Sequence, residues 1–350
     1  MNKYIPEKIK NLNEYIPIEE EFRIILNANE SPFTPSEKIL SEFSAAVANI
    51  KYNRYPDPYT KEMIGKFAQI YNVDKNNVVA GTGSDELINI IINSFLKKGE
   101  KILCVFPDFS MYAFYSEITE AEIIKYEKPK NYLIDFVELA QIINDNNVKL
   151  VILSNPCNPT GIAYEREIIL NFVKNINCIA VIDEAYMDFC TRDCSIIRDY
   201  KRFQNLIILK TLSKIGYAGL RIGFAVGDRD LITGIKKVKS PYNVNTVSQI
   251  FASIALDNFD EIKNNIDTVV YNRTILYNEL CKITNGYNII KPDANFVSIV
   301  FGDENKAKYI FETLENKGII IRYFKPFMFR ITCGTAEEIA EFLKEFKKLL

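Results

Sequence analysis

Short, unbroken apolar runs recur along the first two-thirds of the chain, each closed by polar or glycine-proline turns. Leu206-Ile207-Ile208-Leu209 is the clearest. With no polar residue in alternation, it predicts a strand buried on both faces. Val78–Ala80, Ile102–Phe106, Glu122–Tyr126, Leu150–Leu153, Ile179–Ile182 and Ile222–Val226 predict further strands. Helical spacing appears over Ser36–Asn49, with Ser36 placed to cap it, and over Tyr59–Tyr71 and Leu87–Leu96. Strands alternating with helices over 75–227 predict an α/β fold with a mostly parallel central sheet flanked by helices. After Gly227 the pattern changes. A predominantly helical stretch from Thr246 to about Leu280 is followed by a strand near Asn288, a strand Phe296–Val300, a helix Glu304–Asn316, strands Ile319–Arg322 and Phe329–Thr332, and an amphipathic helix Ala336–Leu350. The expected organisation is an N-terminal arm (1–27), a large domain (28–245) and a smaller α+β domain (246–350).

The polar clusters sit where the strands of the large domain end, which is where open α/β sheets bind ligands. Val78-Val79-Ala80 runs into Gly81-Thr82-Gly83-Ser84-Asp85-Glu86 and then a helix, a strand–turn–helix suited to an anion because free N–H groups and the helix dipole point at it. The turn Ser154–Gly161 carries two Asn-Pro steps, which force extended backbone and hold Asn158 at a strand end. Asp183 and Tyr186 follow the next strand. The segment after Leu209 brings together Thr211, Ser213, Lys214 and Arg221, two hydroxyls and two cations within eleven residues. Lys214 would be the reactive amine. A solvated lysine and ordinary turn chemistry would also account for that segment taken alone.

Composition narrows the chemistry. The 350 residues are 48% hydrophobic and 25% charged with a net charge of −2, so no basic field points to nucleic acid or to an anionic membrane. No apolar run approaches the roughly 20 residues needed to span a bilayer. The N-terminal segment lacks a signal core, and a cytoplasmic location is expected. The chain contains no histidine, which excludes Ser-His-Asp and Cys-His nucleophilic machinery. The seven cysteines stand singly apart from Cys190 and Cys194, too sparse a set to suggest a metal site. No G-x-G-x-x-G or P-loop pattern supports nucleotide binding.

Together the clusters supply what pyridoxal 5'-phosphate requires: a lysine for its aldehyde, an acid for its pyridine nitrogen, an anion site, and polar and aromatic groups around the ring. In order and spacing, NPCNPTG, DEAY and TLSK…GLRIG resemble the aspartate-aminotransferase-like enzymes of fold type I. LNANESP, RYPDP, GTGSDE, VIDEAYMDF, SPYNVN, GIIIRYF and FRITCGT, spread over nearly the whole chain, resemble the histidinol-phosphate aminotransferases within that group. The resemblance implies that Lys214 holds the coenzyme and Asp183 its ring nitrogen. It implies that Asn158 and Tyr186 face the phenolic oxygen, and that Phe109 stacks on the ring. Gly83, Ser84, Asp85, Thr211, Ser213 and Arg221 would bind the phosphate. In a homodimer, Tyr55 would reach the neighbouring subunit's phosphate. Arg330 would clamp a substrate carboxylate, while Arg322, with Tyr242 and Asn29, would hold a phosphate carried by the substrate. The implied partners are small-molecule amines and 2-oxo acids. Two departures stand out: Lys214 and Arg221 are seven residues apart where many of the wider group have eight, and the segment YFKPFMF between Arg322 and Arg330 is short.

The resulting expectation is amino transfer from histidinol phosphate to 2-oxoglutarate. A threonine-phosphate decarboxylase and an aromatic amino-acid aminotransferase are alternatives on the same fold. A non-catalytic scaffold is disfavoured because Lys214, Asp183 and Arg330 are all present.

Overall fold

A computed structural model of the chain describes residues 3–10, 12, 21–284 and 286–350; the rest of the expected N-terminal arm lies outside the described residues. Among the described residues, twelve strands form two sheets. They are β1 (Ile24–Leu26), β2 (Val78–Thr82), β3 (Lys101–Phe106), β4 (Glu122–Glu127), β5 (Leu150–Ser154), β6 (Ile179–Asp183), β7 (Leu206–Thr211), β8 (Ile222–Gly227), β9 (Asn288–Ile290), β10 (Phe296–Val300), β11 (Ile319–Phe324) and β12 (Met328–Thr332).

The larger sheet runs β2-β8-β7-β6-β5-β3-β4. Only β8 opposes its neighbours; the other pairings are parallel, as the alternation of strands and helices predicts. Every residue of β5, β7 and β8 is buried, and helices cover both faces. Helices Phe136–Asp145, Arg166–Lys174 and Arg229–Val238 complete the layers. Asp135 and Asp228 cap the first and third of these through their carboxylates.

β7 extends two residues past Leu209, and the strand carries Lys210 into the interior. Its ammonium is 3% exposed, bonds Asp188 at 2.7 Å and lies 4.9 Å from the centre of the Tyr71 ring. Burial pushes the carboxyl of the adjacent Glu184 up to about 7, against the pull of Lys210 and of hydrogen bonds from Ser195 and the Ile196 N–H. Lys210 is therefore part of the scaffold behind the sheet's functional edge.

The smaller sheet runs β1-β11-β12-β10-β9. The N-terminal strand β1, only three residues long, pairs in parallel with β11, so residues at the two ends of the chain share one sheet. The brevity of YFKPFMF has a direct reason. β11 and β12 form a hairpin in which Arg322 pairs with Arg330, Tyr323 with Phe329 and Phe324 with Met328, leaving a three-residue loop. Helix Thr246–Asp257 packs on helices Glu37–Val47 and Lys61–Tyr71, with Phe43 and Phe251 stacked 4.3 Å apart. The long helix Phe259–Ile283 lies between the sheets, where the buried guanidinium of Arg273 donates to the Phe189 and Ala294 carbonyls. No helix among the described residues is long and apolar enough to cross a membrane.

Candidate active site

β2 passes into helix Gly83–Phe95 without an intervening loop, so the unsatisfied N–H groups of the first helical turn open at the end of the sheet. Two glycines permit the approach. A Cβ on Gly223 would lie 2.3 Å from the Ser84 nitrogen, so any other residue there would push the helix start off β8. A Cβ on Gly83, where φ is +79°, would lie 2.9 Å from Nη2 of Arg221. The guanidinium thus rests against the helix start, and it makes no salt bridge to a carboxylate among the described residues. Beside it, the Thr211 hydroxyl accepts the Ser213 N–H at 3.0 Å and lies 2.9 Å from the Ser213 hydroxyl. Of the nearby acids, Glu86 accepts from the Thr82 N–H and from Asn243, and Asp85 accepts from Tyr115 through Oδ2 while its buried Oδ1 has no hydrogen-bond partner among the described residues. Helix dipole, guanidinium and hydroxyls together make a cradle for a phosphate-sized anion.

Asp183 ends β6 and is 4% exposed. Its Oδ2 accepts the Tyr112 hydroxyl at 2.8 Å and its Oδ1 accepts the Ala185 N–H at 3.0 Å. Burial raises the carboxyl to about 6; those two hydrogen bonds and the charge of Lys214 pull it down, while Asp108 pushes it up. Such a carboxylate gains most from a cation set against it. Phe109 is half-buried, its ring edge-on to that of Tyr112 at 5.5 Å.

Lys214 follows Ser213 in a helical turn, and its amine donates to the Ala28 carbonyl at 3.2 Å and lies 5.9 Å from the Tyr186 ring centre. The Tyr186 hydroxyl accepts from the Asn29 amide at 3.0 Å. Asn29, at φ +56°, is itself tied to the Thr332 hydroxyl, so the turn after β1 spans both sheets.

Asn158 accepts from Arg330 at 2.5 Å through its side-chain oxygen, and Arg330 also donates to the Asn27 carbonyl at 2.6 Å. The Arg330 guanidinium lies 5.3 Å from the Phe296 ring and 5.4 Å from that of Phe324. Arg322 sits directly opposite on the neighbouring strand. Facing residues of an antiparallel pair project to the same side, so two cations share one face, an arrangement that repels itself unless an anion is shared.

One contiguous region therefore gathers Gly83, Ser84, Asp85, Thr211, Ser213, Lys214 and Arg221 on one side, and Asn29, Asn158, Asp183, Tyr186 and Arg330 on the other. Tyr55 and Tyr242 stand apart. They stack on each other at 4.4 Å, are 78% and 42% exposed, and make no hydrogen bond to that cluster among the described residues.

Comparison with known proteins gives the family. The family described as aminotransferase class I and II matches over residues 23–346. The chain belongs to the class I and II aminotransferase family. The histidinol-phosphate aminotransferase of Clostridium novyi is 38% identical over 97% of this chain and 95% of its own. That of Thermoanaerobacter sp. is 35% identical over 99% and 98%. A crystal structure of histidinol-phosphate aminotransferase from Sinorhizobium meliloti, in complex with pyridoxal-5'-phosphate, superposes with a TM-score of 0.91 at 21% identity, covering 100% of this chain and 98% of that one.

In this aminotransferase several site residues escape sequence reasoning. Tyr112 and Thr332 orient Asp183 and Asn29, and the backbone carbonyls of Asn27 and Ala28 anchor Arg330 and Lys214. Tyr112 had a usable signal: it sits in the first turn of the helix Met111–Ile118, just past a strand end. The backbone acceptors had none.

Proposed function

We propose that this aminotransferase is pyridoxal 5'-phosphate-dependent and moves the amino group of histidinol phosphate to 2-oxoglutarate, giving imidazole-acetol phosphate and glutamate. The facing pair Arg322 and Arg330 carries the reading. An enzyme alternating between a phosphorylated amine and a dicarboxylate needs cations for both anions on one wall, and these two supply them. The names of the relatives, at 33–38% identity over nearly the full length, support it.

The residues fit the coenzyme. Gly83, Ser84, Asp85, Thr211, Ser213 and Arg221 form the phosphate cradle, whose close packing on Gly223 leaves helix N–H groups free for an anion. Asp183 would hold the pyridine nitrogen, Asn158 and Tyr186 the phenolic oxygen, and Phe109 would cover the ring. When bound, the coenzyme supplies an aldehyde that joins amines and a ring that takes up the electron pair of a breaking bond at the amine-bearing carbon. Asp183, as an anion, would keep a proton on that ring nitrogen. Lys214 takes the proton from the substrate carbon; with no histidine in the chain, its amine is the base at hand. Arg330 orients the carboxylate of glutamate or 2-oxoglutarate, and Arg322 the phosphate of the amine. In a homodimer, the exposed Tyr55 would reach the neighbouring site, and Tyr242, stacked on it, would stand near the phosphate of the amine.

The test measures, on purified enzyme, amino transfer from histidinol phosphate to 2-oxoglutarate beside carbon dioxide release from threonine phosphate and transfer from phenylalanine and tyrosine. Transfer from histidinol phosphate with the highest kcat/KM supports the proposal. Dominant carbon dioxide release, or preference for an unphosphorylated aromatic amine, overturns it.

A further inference from the structure

The turn that carries Asn158 also brings Cys157 against Lys128, a pair of reactive groups that amino transfer does not use. Cys157 is 1% exposed, and its backbone is pinned: its N–H donates to the Ile162 carbonyl at 2.9 Å and its carbonyl accepts from Gly161 at 2.7 Å. Its sulfur lies 2.9 Å from the Lys128 amine, which donates also to the Pro107 carbonyl at 2.9 Å. Lys128 follows the end of β4, its backbone N–H bonded to the Phe106 carbonyl at 2.7 Å, so both ends of the contact are held by the sheet. Lys128 makes no salt bridge to a carboxylate among the described residues; the thiol is its direct side-chain partner. The thiolate is the form of a cysteine that attacks oxidants, and here a nitrogen nucleophile stands against the sulfur.

We propose that Cys157 and Lys128 form a peroxide-sensitive modification site, in which oxidation of the thiol is captured by the amine as a covalent sulfur–nitrogen bond. In the first step the thiolate attacks one oxygen of hydrogen peroxide, giving the sulfenic acid and hydroxide; sulfur loses two electrons and the peroxide bond takes them. In the second step the hydroxide takes a proton from the Lys128 ammonium, giving the first water; the neutral nitrogen attacks that sulfur, the S–O bond breaks, and the sulfenic oxygen leaves as the second water with a further proton lost from nitrogen. One thiol, one amine and one peroxide yield one S–N link and two waters. Peroxide is little larger than water, and the amine stands at contact distance, so capture competes with further oxidation of sulfur. A thiol reductant adds across the S–N bond and restores both side chains by exchange.

The link would draw Lys128 and the Cys157 turn together. Asn158, the next residue, gives its side-chain oxygen to Arg330 at 2.5 Å, and its backbone N–H is held by the Ser154 hydroxyl. Closing the link therefore displaces the amide that Arg330 depends on, and activity falls while the fold persists.

The experiment treats the coenzyme-loaded enzyme with hydrogen peroxide, quenches it, and reads the digested peptides by mass spectrometry beside amino-transfer activity before and after dithiothreitol. The expected result is a joined pair of peptides containing residues 128 and 157, lighter than their sum by two hydrogens, with activity lost in proportion and regained on reduction. In Lys128→Arg the joined pair is absent, and the same treatment drives Cys157 to sulfinic and sulfonic acids that dithiothreitol does not reverse. Cys157→Ser retains activity through the treatment. Should either variant fold poorly, the mass and recovery of the wild-type enzyme decide alone. An unmodified Cys157 at peroxide levels that inactivate the enzyme, or sulfinic and sulfonic products with no joined peptide in the wild type, overturns the proposal.

Discussion

The Tyr112 hydroxyl points its proton at Oδ2 of Asp183 from 2.8 Å, inside the core where Tyr112 is 1% and Asp183 4% exposed. The donor holds the carboxylate in one rotamer and favours its ionised form against burial, which has raised it to about 6. In Tyr112→Phe the opposing pull is removed, so the carboxyl rises further. The acid limb of the kcat/KM–pH profile is expected to move to higher pH and coenzyme affinity to fall by about 10- to 100-fold, a hydrogen bond to a charged group being worth about 1.5–3 kcal/mol. A profile superposable on that of the wild type would show that the tyrosine only fills space.

Lys214→Ala should lower amino transfer by at least about 100-fold, the lower end of the contribution of a positioned base. The lysine-linked coenzyme absorbance should vanish with it. Single-turnover assays and visible spectra on the same sample check both. Retained turnover would remove Lys214 from the mechanism.

Arg322 and Arg330 should separate the two substrates. Arg322→Gln is expected to raise KM for the phosphorylated amine by about 10- to 100-fold while leaving glutamate nearly unchanged, by loss of charge-assisted hydrogen bonds. Arg330→Gln should do the reverse and also free Asn158. Equal effects of each variant on both substrates would contradict the division of roles.

Gly223→Ala tests the cradle. Its Cβ would fall 2.3 Å from the Ser84 nitrogen. Overpacking of this kind costs about 1–3 kcal/mol. Thermal unfolding of the coenzyme-free chain should show the loss, and binding of inorganic phosphate should weaken, because the helix N-terminus is displaced from Arg221.

Stability of the coenzyme-free chain should fall as pH rises from about 4.5 to 7. Glu184 keeps its proton up to about 7 when folded, against an ordinary value of 4.5, so in that window the folded chain binds more protons than the unfolded one. Asp183 adds to the trend below about 6. In Glu184→Gln, which stays neutral, urea unfolding should show a flatter dependence. A wild-type stability that climbs through this window would refute the assignment.

Much of this enzyme was legible from residue order, for a physical reason. Runs such as Leu206–Leu209 are apolar at every position, which only a doubly covered strand satisfies, and proline and glycine mark where such strands end. Lys214, Asp183, Asn158 and Arg221 could be picked out as candidates because strand ends of a parallel sheet converge on one edge whatever the details of packing. The strand Ile24–Leu26 went unread because three residues carry no period, and its partner Ile319–Ile321 lies nearly three hundred residues away.

Chemical type and local backbone preference are properties of each residue and its neighbours, so they can be read in one dimension. Partnership cannot. Folding alone sent Lys210 into the interior to meet Asp188, set Arg322 against Arg330 across a hairpin, tied Asn29 to Thr332 and placed Lys128 against Cys157. Each of these joins groups remote along the chain or separated by a turn, and their distance is set by sheet register and packing.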